Sequence, residues 1–158
     1  MPRLKEIALF AILVSSTVSV TGLLYVSWLN VEIMTAAENV DVTIESIRIT
    51  RDRDGNNAMV HVTFKMENPS SVSLTLYGIE YRLFSDDKYV WTGYEYPDPT
   101  DLGPKTTITI FGEVWFPLDK IPPDESGRWQ VTGTARLASG LTGGFDVRFE
   151  GSTTNIDR

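Results

Sequence analysis

The first pattern in the chain is an unbroken apolar run. From Ile7 to Leu29, IALFAILVSSTVSVTGLLYVSWL, no side chain carries a charge. As a helix rising about 1.5 Å per residue it measures roughly 34 Å, enough to cross a hydrocarbon core of about 30 Å. Its β-branched residues and Gly22 weaken a helix in water, but in lipid the backbone satisfies its polar groups only by closing on itself, so a transmembrane helix is predicted. Tyr25 and Trp28 stand at the far end, where amphipathic rings settle among headgroups, and are the expected membrane-interface anchors. Arg3 and Lys5 precede the run, while Glu32, Glu38 and Asp41 follow it. The positive flank is predicted to stay in the cytoplasm and the remainder to lie outside, giving a single-pass protein whose first partner is the lipid bilayer.

Three other readings use the same residues. A cleaved signal has a small-residue site available at Thr35-Ala36-Ala37, although the apolar run is long for a signal peptide. A buried core helix would show a polar face, which this run lacks. A pilin-like stem would pack against copies of itself through Ser15, Ser16, Ser19 and Gly22, yet no Gly or Ala follows the basic residues to mark a processing site.

After a connector at 30–39 the period changes to two, the mark of half-buried strands. Val40, Val42 and Ile44 alternate with polar residues, and Ile47 and Ile49 continue in the opposite parity, which predicts a bulge near Glu45 and Ser46. The turn-forming stretch from Arg51 to Asn57 leads into a strand with Val60, Val62, Phe64 and Met66 on one face. Asn68-Pro69-Ser70 ends that strand, because proline lacks the ladder donor and restricts its predecessor. Leu74 and Leu76 are then followed by Ile79, Tyr81 and Leu83, a slip of parity for which Gly78 is suited as a bulge.

Asp86-Asp87-Lys88 turns the chain into a strand bearing Tyr89, Trp91 and Tyr94, and a proline-rich loop from Pro97 to Pro104 interrupts all pairing. Further strands carry Ile108, Ile110, Val114 and Phe116, with Gly112 at a bend; then Trp129, Val131, Ala135 and Leu137; then Phe145, Val147 and Phe149. About seven strands separated by turn signals describe an all-β, antiparallel β-sandwich of immunoglobulin or fibronectin-III type. The expected organisation is a cytoplasmic N-terminus at 1–6, a transmembrane helix at 7–29, the connector at 30–39, the sandwich at 40–151 and a tail at 152–158.

Charge and composition narrow the chemistry. A net charge of -7 repels a phosphate backbone, so nucleic acid is not an expected partner. With no cysteine and one histidine, disulfides, thiolate chemistry and multi-histidine metal sites are excluded within one chain.

The run Met66-Glu67-Asn68-Pro69-Ser70, the strand LTLYGIEYRL from Leu74 to Leu83, Gly93, the loop to Gly103-Pro104 and the strand Ile108 to Phe116 resemble the LEA14-like family of late embryogenesis abundant proteins, whose module is the water-stress and hypersensitive-response domain. Val131 to Ala135 and Gly144 to Phe149 look like its closing strand pair, so the resemblance covers roughly residues 40–150. The family carries Asn-Pro-Asn where this chain has Ser70 in the third position. The resemblance implies a β-sandwich with a common N-terminal membrane helix, no enzymatic activity and a link to stress tolerance, and it transfers no binding residues. Asn68, Pro69 and Gly78 are expected to serve structure.

No residue is assigned to catalysis and no cofactor is expected. His61 alternates with Val60 and Val62 and is expected to face solvent; a catalytic role would need a Ser or carboxylate beside it. Asp52, Asp54 and Asn56 space their oxygens as calcium loops begin, but Gly55 stands too early and a plain turn is the simpler reading. Asp98 and Asp101 are a second weak cation candidate. Tyr89 and Trp91 share parity and are expected in the core, leaving Tyr94 and Tyr96 as the candidate binding surface for a small-molecule or protein ligand. The leading expectation is a non-enzymatic, membrane-anchored, extracytoplasmic sandwich acting as a binding or protective module. A subunit of a surface filament and a carbohydrate-binding or hydrolase domain are the alternatives.

Overall fold

In the computed structural model, which describes residues 2–51, 57–117, 128–139, 143–153 and 156–157, Pro2–Glu38 forms one uninterrupted helix, α1. Its 37 residues correspond to roughly 55 Å. The segment expected as a connector is therefore helical up to Glu38: no Gly or Pro interrupts the chain there, and Glu32, Met34, Ala36 and Ala37 are strong helix formers. Apolar side chains are exposed all around it, from Ile7 and Phe10 to Leu24 and Trp28. Several of its hydroxyls are satisfied internally. Thr17 Oγ1 donates to the carbonyl of Leu13 at 2.8 Å, Ser19 Oγ to that of Ser15 at 2.9 Å, and Thr21 Oγ1 to that of Thr17 at 2.9 Å, which removes the cost of carrying them into lipid. Contacts divide the chain into two compact units, Met1–Thr35 and Ala36–Arg158.

The second unit is a sandwich of two sheets. Its strands are β1 (Asp41–Arg51), β2 (Asn57–Glu67), β3 (Leu74–Ser85), β4 (Lys88–Glu95), β5 (Thr100–Leu102), β6 (Thr107–Pro117), β7 (Trp129–Ala138), β8 (Phe145–Thr153) and β9 (Ile156–Asp157). One sheet runs β6-β2-β1-β9 and the other β4-β3-β7-β8, with β5 alongside β3. Among the described residues every pairing is antiparallel except the short β1–β9 contact, where Ile47 and Arg48 face Ile156 and Asp157 in parallel. The strands beyond the expected seven are the shortest, β5 and β9. The stretch expected as a tail carries the end of β8 and the whole of β9.

The inward residues are those the alternation marks. Val60, Val62, Phe64 and Met66 from β2 meet Leu74, Leu76, Ile79, Tyr81 and Leu83 from β3 and Trp129, Val131, Ala135 and Leu137 from β7, all buried. Each Val, Leu, Ile, Phe or Met among them is worth about 1.5–3 kcal/mol of burial. The Phe64 ring meets Tyr81 edge-on at 5.1 Å between centroids and Phe149 at 5.7 Å, which fixes the spacing of the sheets at mid-core.

Three bulges decide which residues face out. The first, between Ile44 and Ser46 of β1, and the second, between Leu76 and Gly78 of β3, stand where parity slips in the sequence. The third corrects an expectation. Leu83 pairs with Trp91 and Phe84 with Tyr89, so Val90 is the extra residue and Tyr89 and Trp91 fall on opposite faces. Val90 is buried, Tyr89 is exposed on the outer face, and Trp91 is half-buried on the face of Leu83. Tyr89 is not a core residue.

Candidate functional site

The second bulge makes a groove. β4 pairs with β3 only from Ile79 onward, and β5 takes up the pairing again at Leu76. The interruption, Tyr96-Pro97-Asp98-Pro99, therefore lies beside the extra residue of β3, Tyr77. Prolines cannot donate to the ladder, so the edge opens where the neighbouring strand is widest. Both tyrosines line the groove: Tyr77 is 46% exposed and Tyr96 76%. Gly78 makes this possible, since a Cβ there would stand 3.2 Å from Tyr96 Cδ1 and 3.3 Å from the carbonyl oxygen of Glu95. The Tyr96 ring rests on bare backbone.

The groove measures about 540 Å³ and lies on the outer face of the second sheet. Beyond the tyrosines, across β3, its floor is polar, with Glu80 of β3, Thr134 and Arg136 of β7 and Asp146 of β8. Arg136 Nε donates to Asp146 Oδ1 at 3.3 Å, and the two are cross-strand partners. Glu80 and Thr134 also border a second hollow of about 590 Å³ along the same face, lined by Arg82, Thr132, Arg148 and Glu150. Of the two tyrosines expected to form a binding surface, Tyr96 lines the groove. Tyr94 is exposed on the same face, paired with Glu80, but outside it. Tyr77, Arg136 and Asp146 were not singled out by the sequence. Their signal was the parity slip at Tyr77-Gly78 coinciding with the Pro97 and Pro99 interruption, which register alone brings together.

Asn68 lies at a junction of backbones. It is fully buried, and its Nδ2 donates to the carbonyls of Val72, Leu102 and Gly103 at 2.8, 3.0 and 3.1 Å. Its Oδ1 accepts from Ser70 N at 3.0 Å and from Ser70 Oγ at 2.6 Å. Ser70 thus supplies both donors to the Asn68 side-chain oxygen. Pro69 follows with its carbonyl held by Lys105 Nζ, and Lys105 adopts a φ of 57° as its N–H reaches the Ser70 carbonyl at 3.2 Å.

Two further polar groups lie near the β4–β6 edge. The Tyr81 ring lies so closely over its cross-strand partner Gly93 that a Cβ there would overlap it, and its hydroxyl donates to Glu95 Oε1 at 3.4 Å, which also accepts the N–H of Glu113 at 3.0 Å. Burial between the sheets raises the Glu95 carboxyl above its ordinary value; the two donors oppose that shift and the neighbouring Glu113 charge adds to it. Burial, then the charge of Glu95, pushes the Tyr81 phenol well above its usual range. On the outer face His61 Nδ1 meets Glu113 Oε1 at 3.2 Å as its register partner. It sits on an open sheet surface.

Asp52, Asp54 and Asn56 lie outside the described residues. Among the described residues no three His, Asp or Glu side chains gather closely enough to hold a metal ion. Asp101 Oδ1 instead accepts the Ser73 hydroxyl at 2.6 Å. Tyr25 and Trp28 lie side by side on α1, their rings 6.2 Å apart.

No protein-family model matches the sequence, and no curated protein resembles it closely enough to match. Solved structures do. AT1g01470 from Arabidopsis thaliana superimposes with a TM-score of 0.53 at 17% identity, over 72% of this chain and 75% of that one. A putative late embryogenesis abundant protein, At2g46140.1, does so with 0.50 at 14% identity, over 87% and 86%. A putative ApaA protein from Bordetella pertussis gives 0.50 at 15% identity, over 71% and 91%. At these identities the likeness is one of fold: the chain is a β-sandwich of the architecture that a putative late embryogenesis abundant protein shares.

Proposed function

We propose that this chain is a membrane-tethered member of the LEA14-like family, a non-enzymatic β-sandwich held outside the cytoplasm as a binding or protective module under water stress. The observation that carries the tether is α1. It is apolar on every side and exposed from Ile7 to Trp28, and the hydroxyls of Ser16, Thr17, Ser19 and Thr21 bond to its own backbone. A water-facing helix has no reason to combine these features, whereas lipid demands them. The family assignment is supported by the shared fold and by the buried Asn68 junction, at the residue where the motif resemblance is strongest. The Arg3 and Lys5 flank sets the proposed orientation.

The test is extraction. Membranes from cells expressing the full chain are washed in alkaline carbonate. The intact chain, from its N-terminus onward, is expected to sediment with the lipid. Release into the wash, or loss of the first residues by mass spectrometry, contradicts the tether, and helical polymers in electron micrographs of detergent extracts would favour the filament reading.

A further inference from the structure

We propose that the Tyr77–Tyr96 groove binds neutral saccharides, with a sugar ring stacked on Tyr96 and its hydroxyls held by Arg136, Asp146 and Glu80. The proposal deepens the binding-module reading above and rests on it. Three observations on one surface carry it.

The first is the stacking platform. Tyr96 lies with one side over Gly78 and remains 76% exposed, so its ring is supported from below and open above. A phenol offers an apolar face with a polar tip, which matches the C–H face and hydroxyl rim of a pyranose. Tyr77 gives the groove a second aromatic wall.

The second is the polar floor. Arg136 uses Nε on Asp146 Oδ1, and a guanidinium has five N–H donors while a carboxylate has a second oxygen. The pair presents donors next to acceptors, the arrangement that vicinal hydroxyls satisfy in both directions. Glu80 and Thr134 extend it with another acceptor and a hydroxyl.

The third is charge and size. One arginine stands against two carboxylates, Glu80 and Asp146, on a chain of net charge -7, so phosphorylated or sulfated ligands are repelled. A volume of about 540 Å³ falls in the range of small-ligand sites.

The experiment uses the full chain in a zwitterionic detergent without a sugar headgroup. Maltohexaose, cellohexaose, chitohexaose and trehalose are titrated by saturation-transfer NMR and calorimetry, with heparin as the anionic probe. At least one neutral saccharide is expected to bind with a Kd of about 1 mM or tighter. Tyr96→Ala and Arg136→Met should each weaken it at least tenfold, and Trp115→Ala, an exposed aromatic on the other sheet, should leave it unchanged. Thermal melts verify that each variant is folded. Failure of all four saccharides to bind, binding that survives Tyr96→Ala, or stronger binding of heparin would each overturn the site. A chain that stays in carbonate-washed membranes yet binds no saccharide overturns this inference alone. A chain that binds but washes off overturns the tether alone.

Discussion

At the scale of single residues, Asn68 is the position least open to replacement. Its amide faces three carbonyl oxygens, and its own oxygen takes two donors from Ser70. Asn68→Asp would turn the donor into a second acceptor and bury a charge among carbonyls. A loss of about 3 kcal/mol or more is expected, read as a lower urea midpoint with unchanged slope. Glu95 behaves in the opposite sense. Folding raises its pKa by burial, so the folded state holds the proton more tightly than the unfolded one. The favourable contribution is complete below the ordinary carboxylate range and is lost as pH rises through the raised value. Glu95→Gln keeps an acceptor for the Glu113 N–H and the Tyr81 hydroxyl without a charge. Paired thermal melts should therefore show the variant more stable than the parent near neutral pH, with the gap closing as pH falls towards about 4. A gap that widens on acidification would refute the burial argument.

At the scale of elements, turns and bulges account for which side chains face out. Asp86 and Asp87 close the β3–β4 hairpin with φ of 47° and 62°, the positive pair of a type I′ turn. Asp86 is tied down, because its carboxylate accepts the Arg128 N–H at 2.9 Å. The Asp87 side chain bonds to none of the described residues, and its backbone conformation suits glycine better. Asp87→Gly is expected to stabilise the domain by about 0.5–1 kcal/mol in chemical denaturation. The bulges at Glu45 and Tyr77 were legible because alternation of large apolar residues shifts visibly across them, and the second has Gly78 beside it. The bulge at Val90 was not: Tyr89 and Trp91 look alike on either side of it, and only the Leu83–Trp91 pairing reveals the extra residue. The end of α1 was also hidden, since Asn30 and Glu32 read as a polar connector although no Gly or Pro stands between Asn30 and Asn39. β5 and β9 are too short to leave a period. The groove depended on register, since Tyr77 and Tyr96 lie far apart in the sequence and come together across an interrupted edge strand.

At the scale of the whole molecule, an apolar helix and an acidic sandwich occupy one chain, and the proposed function requires each on its own side of an interface. The absence of cysteine makes that separation directly measurable, because a single introduced thiol is the only one in the protein. Ser71 lies exposed in the sandwich and Glu6 precedes the apolar run. In intact cells a membrane-impermeant maleimide is predicted to label Ser71→Cys, and to label Glu6→Cys only after the membrane is permeabilised. Labelling of Glu6→Cys in intact cells with Ser71→Cys protected would contradict the account.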